Sequence, residues 1–205
     1  MNLVAYSDYL CPWCFNGSVR LKRRESEFSG QVSVEYRAFL LRPKAQDSER
    51  DLQKFIDYTR SWSRPAGEED SGEFHVWQSE AAPPSHSIPA HQVAKAAADL
   101  GPDAFGEIHA RLLLAYFRDN RDISDPATLK KIWSEAGLPE HAFDAREDPR
   151  LLQQIVQEHN EAIEVGVNGV PSVMLRDQRI PVAGAQPIDF YRRWVNRALA
   201  GEIKV

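Results

Sequence analysis

Sulfur is scarce in this chain: of its 205 residues, two are cysteine and two are methionine. A structural zinc site needs four ligands, and there is no second cysteine pair to complete one. His75, His86 and His91 are scattered without ligand spacing, so no metal is expected. No run approaches the ~18–20 apolar residues needed to cross a bilayer. No Lys/Arg cluster alternates with aromatics, and the net charge is −5, which leaves no case for a nucleic-acid surface. No basic n-region and no cleavable apolar stretch accompany the opening Met1-Asn2-Leu3-Val4, so the expected compartment is the cytosol. No internal repeat is visible, and the composition, 42% hydrophobic and 27% charged, is ordinary for a chain with a real core.

The two cysteines stand together in Cys11-Pro12-Trp13-Cys14, after the apolar run Leu3-Val4-Ala5-Tyr6 and before a segment that can form a helix. Pro12 sits where the first helical residue should be. Its ring presets φ, and the amide hydrogen it lacks would have had no intrahelical partner. A helix beginning at Cys11 brings free amides and the positive dipole end against that sulfur, and both favour thiolate over thiol. Cys14 returns to the same side one turn later, placed to attack a mixed disulfide formed at Cys11. A static disulfide at this spacing would close a loop too short to stabilise much by chain entropy. In a reducing cytosol a lone cysteine pair is more often catalytic or sensing than structural. The spacing therefore points to a redox couple, with Cys11 attacking and Cys14 resolving.

Around this motif the pattern reads as an ordered series of elements. Cys14, Leu21 and Phe28 recur at intervals of seven, a helix face that Gly30 ends. Val32, Val34 and Tyr36 alternate with polar residues, a strand expected to run on through Ala38-Phe39-Leu40-Leu41 to Pro43. Strand, helix, strand makes a βαβ unit with parallel strands. More than a hundred residues of helical signals follow. Ser48 and Asp51 form a capping pair before Leu52, Phe55 and Ile56. The polar stretch 61–87 holds Trp62, Phe74 and Trp77, and either serves as a binding or lid segment or is pinned to the body by those aromatics. Helices are expected after Pro89, around Phe105 to Tyr116, after Asp125-Pro126, and after Asp148-Pro149. The last of these should carry Leu152, Ile155, Val156, Ala162 and Ile163 inward, with His159 as a satisfied core histidine. Ser172-Val173-Met174-Leu175 and Ile180-Pro181-Val182-Ala183 read as a hairpin around Arg176 to Arg179, with Pro181 marking an edge strand. A closing helix places Phe190, Tyr191, Trp194, Val195, Ala198 and Leu199 on one broad face.

This order is that of an α/β thioredoxin-like fold, β-α-β then β-β-α around a mixed sheet, with a large all-helical insertion. The expected division is 1–45 with 167–205 for the thioredoxin-like domain and 46–166 for the insertion. Asp8 through Phe15, Ala90-His91, Gly169-Val170-Pro171-Ser172 and Gly184-Ala185-Gln186 resemble the DsbA family of thiol-disulfide oxidoreductases, in its FrnE-like branch. From the residues alone Pro171 starts a strand in trans. The resemblance implies instead a cis Val170–Pro171 bond beside the reactive sulfur, with Val170 offering its backbone to an extended substrate segment. It implies a protein-disulfide oxidoreductase or isomerase acting on protein or peptide thiols and disulfides, with Pro12, Trp13, Val170 and Pro171 at the substrate. No cofactor is expected beyond the cysteine pair, and glutathione is a possible co-substrate. The same superfamily holds kappa-class glutathione transferases and hydroxychromene-carboxylate isomerases, which generally use serine where Cys11 stands and lack a thiol at Cys14. A glutathione-dependent transferase or isomerase and a non-catalytic redox-sensing module are therefore the competing readings. The FrnE-like pattern of an extra cysteine pair near the C-terminus is absent here.

Overall fold

The computed structural model describes residues 1–45, 51–178 and 180–203. The first strand β1 (Asn2–Ser7) is followed by helix α1 (Pro12–Glu27) and strand β2 (Ser33–Ala38), and β1 pairs with β2 in parallel from Asn2↔Ser33 to Ser7↔Ala38. Then come α2 (Leu52–Thr59), a 3₁₀ turn (Arg60–Trp62), α3 (Ser63–Ala66), α4 (Ile88–Asp99) and α5 (Pro102–Phe117). They are followed by α6 (Pro126–Glu135), a second 3₁₀ stretch (Glu140–Glu147) and α7 (Pro149–Glu164). The chain closes with β3 (Ser172–Leu175), β4 (Val182–Ala183) and α8 (Ile188–Leu199). The sheet order is β2-β1-β3-β4, with β3 antiparallel to both β1 and β4. This is the thioredoxin-like mixed sheet with helices inserted between its halves.

β1 lies between two strands, so both of its faces must be covered, and its sequence supplies apolar residues to each. Leu3 and Ala5 pack with Leu21 of α1 and with Tyr191 and Val195 of α8, while Val4 and Tyr6 pack with Ala162 of α7, Val167 and Met174. The largest core lies in the helical block, and it takes in Tyr9, Leu10 and Phe15 from the segment that carries the cysteines.

The exposed edge of β2 is closed by side chains rather than by another strand. Val34 N–H donates to Glu25 Oε1 (2.6 Å), Ala38 N–H to Glu158 Oε2 (2.8 Å) and Leu40 N–H to His159 Nδ1 (3.1 Å). Lys95 Nζ donates to the Tyr36 carbonyl (3.4 Å) and to Glu158 (2.5 Å).

Several expectations are corrected. β2 stops at Ala38. Beyond it only Phe39 still bonds to the first strand's end, at Ser7 O, while Leu41 N–H turns to the Asp8 carboxylate. In α7 the buried face is Leu151, Ile155, Glu158 and Ala162, whereas Leu152 (39%), Val156 (41%) and Ile163 (55%) are exposed. The buried row includes a glutamate because that side chain terminates the sheet edge; Ile155 and Ala162 face inward as expected, and Leu152, Val156 and Ile163 do not. His159 is half-buried rather than core, although satisfied as expected: it accepts from Leu40 and stacks edge-on with Phe39. Leu199, the last residue of α8, is exposed rather than packed with Tyr191 and Val195. Asp51 caps α2 through Lys54 N–H, while Ser48 lies outside the described residues, as does Arg179 of the hairpin turn.

The stretch 61–87 is pinned. Trp62 and Trp77 are buried, and its first part is strapped to α1. Asn16 Nδ2 donates to Pro65 O (2.9 Å) and Asn16 Oδ1 accepts from Gly72 N–H (2.9 Å); Arg23 pairs with Asp70. Gly72 lies flat on the Phe15 ring, and a β-carbon there would fall 2.4 Å from it.

Candidate active site

α1 begins as its proline demands. Cys11 is the N-cap with extended backbone (φ −96°, ψ 114°), and Pro12 follows as the first helical residue. Cys11 N–H donates to Asp8 O (3.1 Å) and Cys14 N–H to Cys11 O (3.0 Å), which closes the turn holding the two sulfurs one helical turn apart. Both are free thiols. Both residues are buried, Cys11 with 6% of its surface exposed and Cys14 with 2%. Pro12 is half-buried, and Trp13, 37% exposed, stands at the surface beside them. Burial, then the hydrogen bond and charge of Cys11, push the Cys14 thiol well above its ordinary range. It holds its proton while Cys11 is unreacted.

The Val170–Pro171 bond is cis, and Cys11 Sγ donates to Val170 O at 3.3 Å. Cys11, Cys14, Val170 and Pro171 thus meet in one locus, although 159 positions separate Cys11 from Val170. α1 approaches Pro171 closely at Gly17: a β-carbon there would lie 3.2 Å from the proline ring, tighter than most side chains sit, so that the ring would have to shift by a few tenths of an ångström.

A buried polar layer supports the turn from behind. The fully buried Asp8 carboxylate accepts from Leu10 N–H (2.6 Å) and Leu41 N–H (2.8 Å), tying the residue before Cys11 to the segment after β2. Burial raises its pKa, against the lowering effect of these bonds. Tyr9 OH and Ser18 Oγ lie 2.9 and 2.8 Å from the two ring nitrogens of His109. Burial lowers His91 and His109 to about 3, so both are neutral.

The cysteine pair was readable from the residues themselves and the cis-proline step only through the family resemblance; Asn16, Arg20 and His109 were not singled out. Asn16 and Arg20 stand at i and i+4 of α1, off the positions of Cys14, Leu21 and Phe28 by which that helix is read, and each is almost fully buried.

Comparison with known proteins agrees with this geometry. Residues 2–195 match the family model described as the DSBA-like thioredoxin domain. A relative, the uncharacterized protein YwbO of Bacillus subtilis (strain 168), is 25% identical over 208 residues, covering 92% of this chain and 93% of that one. The cytosolic disulfide reductase DsbM from Pseudomonas aeruginosa superposes with TM-score 0.75 at 19% identity, over 98% of this chain and 99% of that one. A second structure of that reductase, with GSH, gives TM-score 0.72 at 19% identity over 98% and 100%. At these identities the structural likeness bears on the fold.

Proposed function

This chain belongs to the family of DSBA-like thioredoxin domains, and on that premise we propose that it is a thiol-disulfide oxidoreductase working through Cys11 and Cys14 on protein or peptide substrates. The observation that carries the reading is the leading sulfur at a helix start, 3.3 Å from the Val170 carbonyl, with a protonated partner buried one turn behind.

The dithiol reduces a substrate disulfide in two balanced steps. Cys11 gives up its proton and its sulfur bonds to one substrate sulfur; the substrate S–S bond breaks and the other sulfur leaves as a thiolate that takes up a proton. Cys14 then gives up its proton and attacks the Cys11 sulfur, releasing the second substrate thiol and leaving a Cys11–Cys14 disulfide. Val170, half-buried beside the Cys11 sulfur, offers its amide and carbonyl to the substrate segment as an added strand would use them. Glutathione is the proposed reductant: two molecules return the pair to dithiol and leave as one glutathione disulfide. The existence of a GSH-bound structure of the DsbM reductase supports that choice. The cytosol, where such a donor is abundant, is the proposed compartment.

The test is turnover of a peptide disulfide in the presence of glutathione. Cys11→Ser should abolish it, and Cys14→Ser should accumulate a mixed disulfide detectable by mass. Retained activity in Cys11→Ser would remove the assignment. Tight stoichiometric glutathione binding by an enzyme inert toward disulfides would favour a glutathione-dependent transferase instead.

A further inference from the structure

Arg20 is a cation enclosed among backbone carbonyls. Its side chain is 2% exposed, and the one carboxylate that pairs with it among the described residues, Glu68 at 3.4 Å, is itself 45% exposed. One amino group, Nη1, donates to Ala185 O (2.7 Å) and Gln186 O (3.1 Å); the other, Nη2, donates to Glu69 O (2.7 Å) and to Glu68. A buried guanidinium with so little countercharge is costly, and its planar fork reaches two separate pieces of chain that an ammonium could not hold together.

The two pieces have different meanings. Glu68 and Glu69 belong to the strap that runs from the helical insertion over α1, which is also tied to Asn16 and Arg23 and packs on Phe15. Ala185 and Gln186 belong to the turn after β4, and that turn supports the cis-proline: Gly184 N–H donates to Pro171 O at 2.7 Å. The turn is stiffened from within, since Gln186 N–H donates to Gly184 O (2.9 Å) and Gln186 Nε2 to Ala183 O (2.7 Å). The helix that delivers Cys11 at its first turn therefore also delivers, nine residues on, the group that holds the far side of Pro171.

Building on the oxidoreductase reading, we propose that Arg20 is a positioning residue for substrate capture. Its fork fixes the 184–186 turn against the 68–69 strap and so sets the separation of the Val170–Pro171 backbone from the Cys11 sulfur. Arg20 touches neither sulfur nor substrate. Its effect falls on the docking of an extended partner at Val170 and leaves the intrinsic reaction of Cys11 unchanged. The strap, and with it the helical insertion, thereby belongs to the substrate-positioning apparatus.

The experiment compares two disulfides on the full chain: a peptide disulfide long enough to pair with Val170, and the small aromatic disulfide 5,5′-dithiobis(2-nitrobenzoate), which makes no strand contact. Arg20→Lys keeps the charge and loses the fork; Arg20→Met keeps the stem and loses both. For Arg20→Lys the peptide KM should rise about tenfold with kcat within twofold, while the rate with the small disulfide stays within twofold of the parent. A parallel fall with both disulfides would overturn the proposal and make Arg20 a packing residue only, as would an unchanged peptide KM. If Arg20→Met does not fold, Arg20→Lys alone decides. An unmutated chain that fails to turn over the peptide at all indicts the oxidoreductase reading rather than this one.

Discussion

His91 and His109 are neutral in the fold because burial has lowered each from its ordinary value near 6.5 to about 3. Below pH ~6.5 the unfolded chain takes up protons that the native state refuses, so stability is full above that pH and falls as the pH drops toward 3. Each histidine contributes a slope of up to about 1.4 kcal/mol per pH unit. Asp8 works in the opposite sense: its raised pKa adds stability at low pH that is lost as the pH rises through its folded value. Urea midpoints should therefore be lower at pH 5 than at pH 7. His109→Gln, which can keep one bond to Tyr9 or Ser18, should narrow that gap; an unchanged gap would mean that His109 is charged in the fold. Gly72 gives a second residue-scale test. Alanine there drives a methyl into the Phe15 ring, and either the ring or the strap must yield. A loss of about 1–3 kcal/mol in thermal or urea unfolding is expected for Gly72→Ala.

Among the elements, α7 separates what hydropathy can read from what it cannot. Its apolar residues cover two adjoining stripes, and the sheet selects the one containing Ile155 because Glu158, in the same row, reaches the last amide of β2. Ile155→Ala should cost about 2–5 kcal/mol by chemical denaturation, while Val156→Ser should stay within about 0.5 kcal/mol. Equal losses at both positions would restore the stripe expected from the sequence. The helix starts were legible for a local reason: Pro12, Pro126 and Pro149 each follow a residue that closes the previous turn, and Asp125 and Asp148 cap through their own side chains. The pairing of Cys11 with Val170 was legible only through the resemblance, since no local rule joins residues so far apart. The inward polar face of α1 escaped because heptad spacing marks apolar positions and passes over a buried Asn16 or Arg20 that satisfies backbone from another element.

Across the whole molecule the sheet has two edges, and each is managed differently. β4 is short, two residues preceded by Pro181. β2 is longer, and its outward groups are terminated by Glu25, Lys95 and Glu158 from three helices, so that another chain finds few open amides to pair with. Removing two of these caps in Glu25→Ala/Glu158→Ala should produce apparent mass that climbs with concentration in sedimentation or light scattering, beyond that of the parent. A monodisperse double variant would show that the edge is guarded by other means. The apolar block that takes in Tyr9, Leu10 and Phe15 lies mostly in the inserted helices, with Trp62, Phe117 and Leu112 among its members. A minimal redox module cut from this chain would carry those three side chains bare into water, next to the very turn that must stay rigid. The inserted helices consequently share one apolar interior with the segment that carries the cysteines, and that common interior joins the two regions where the sequence changes character.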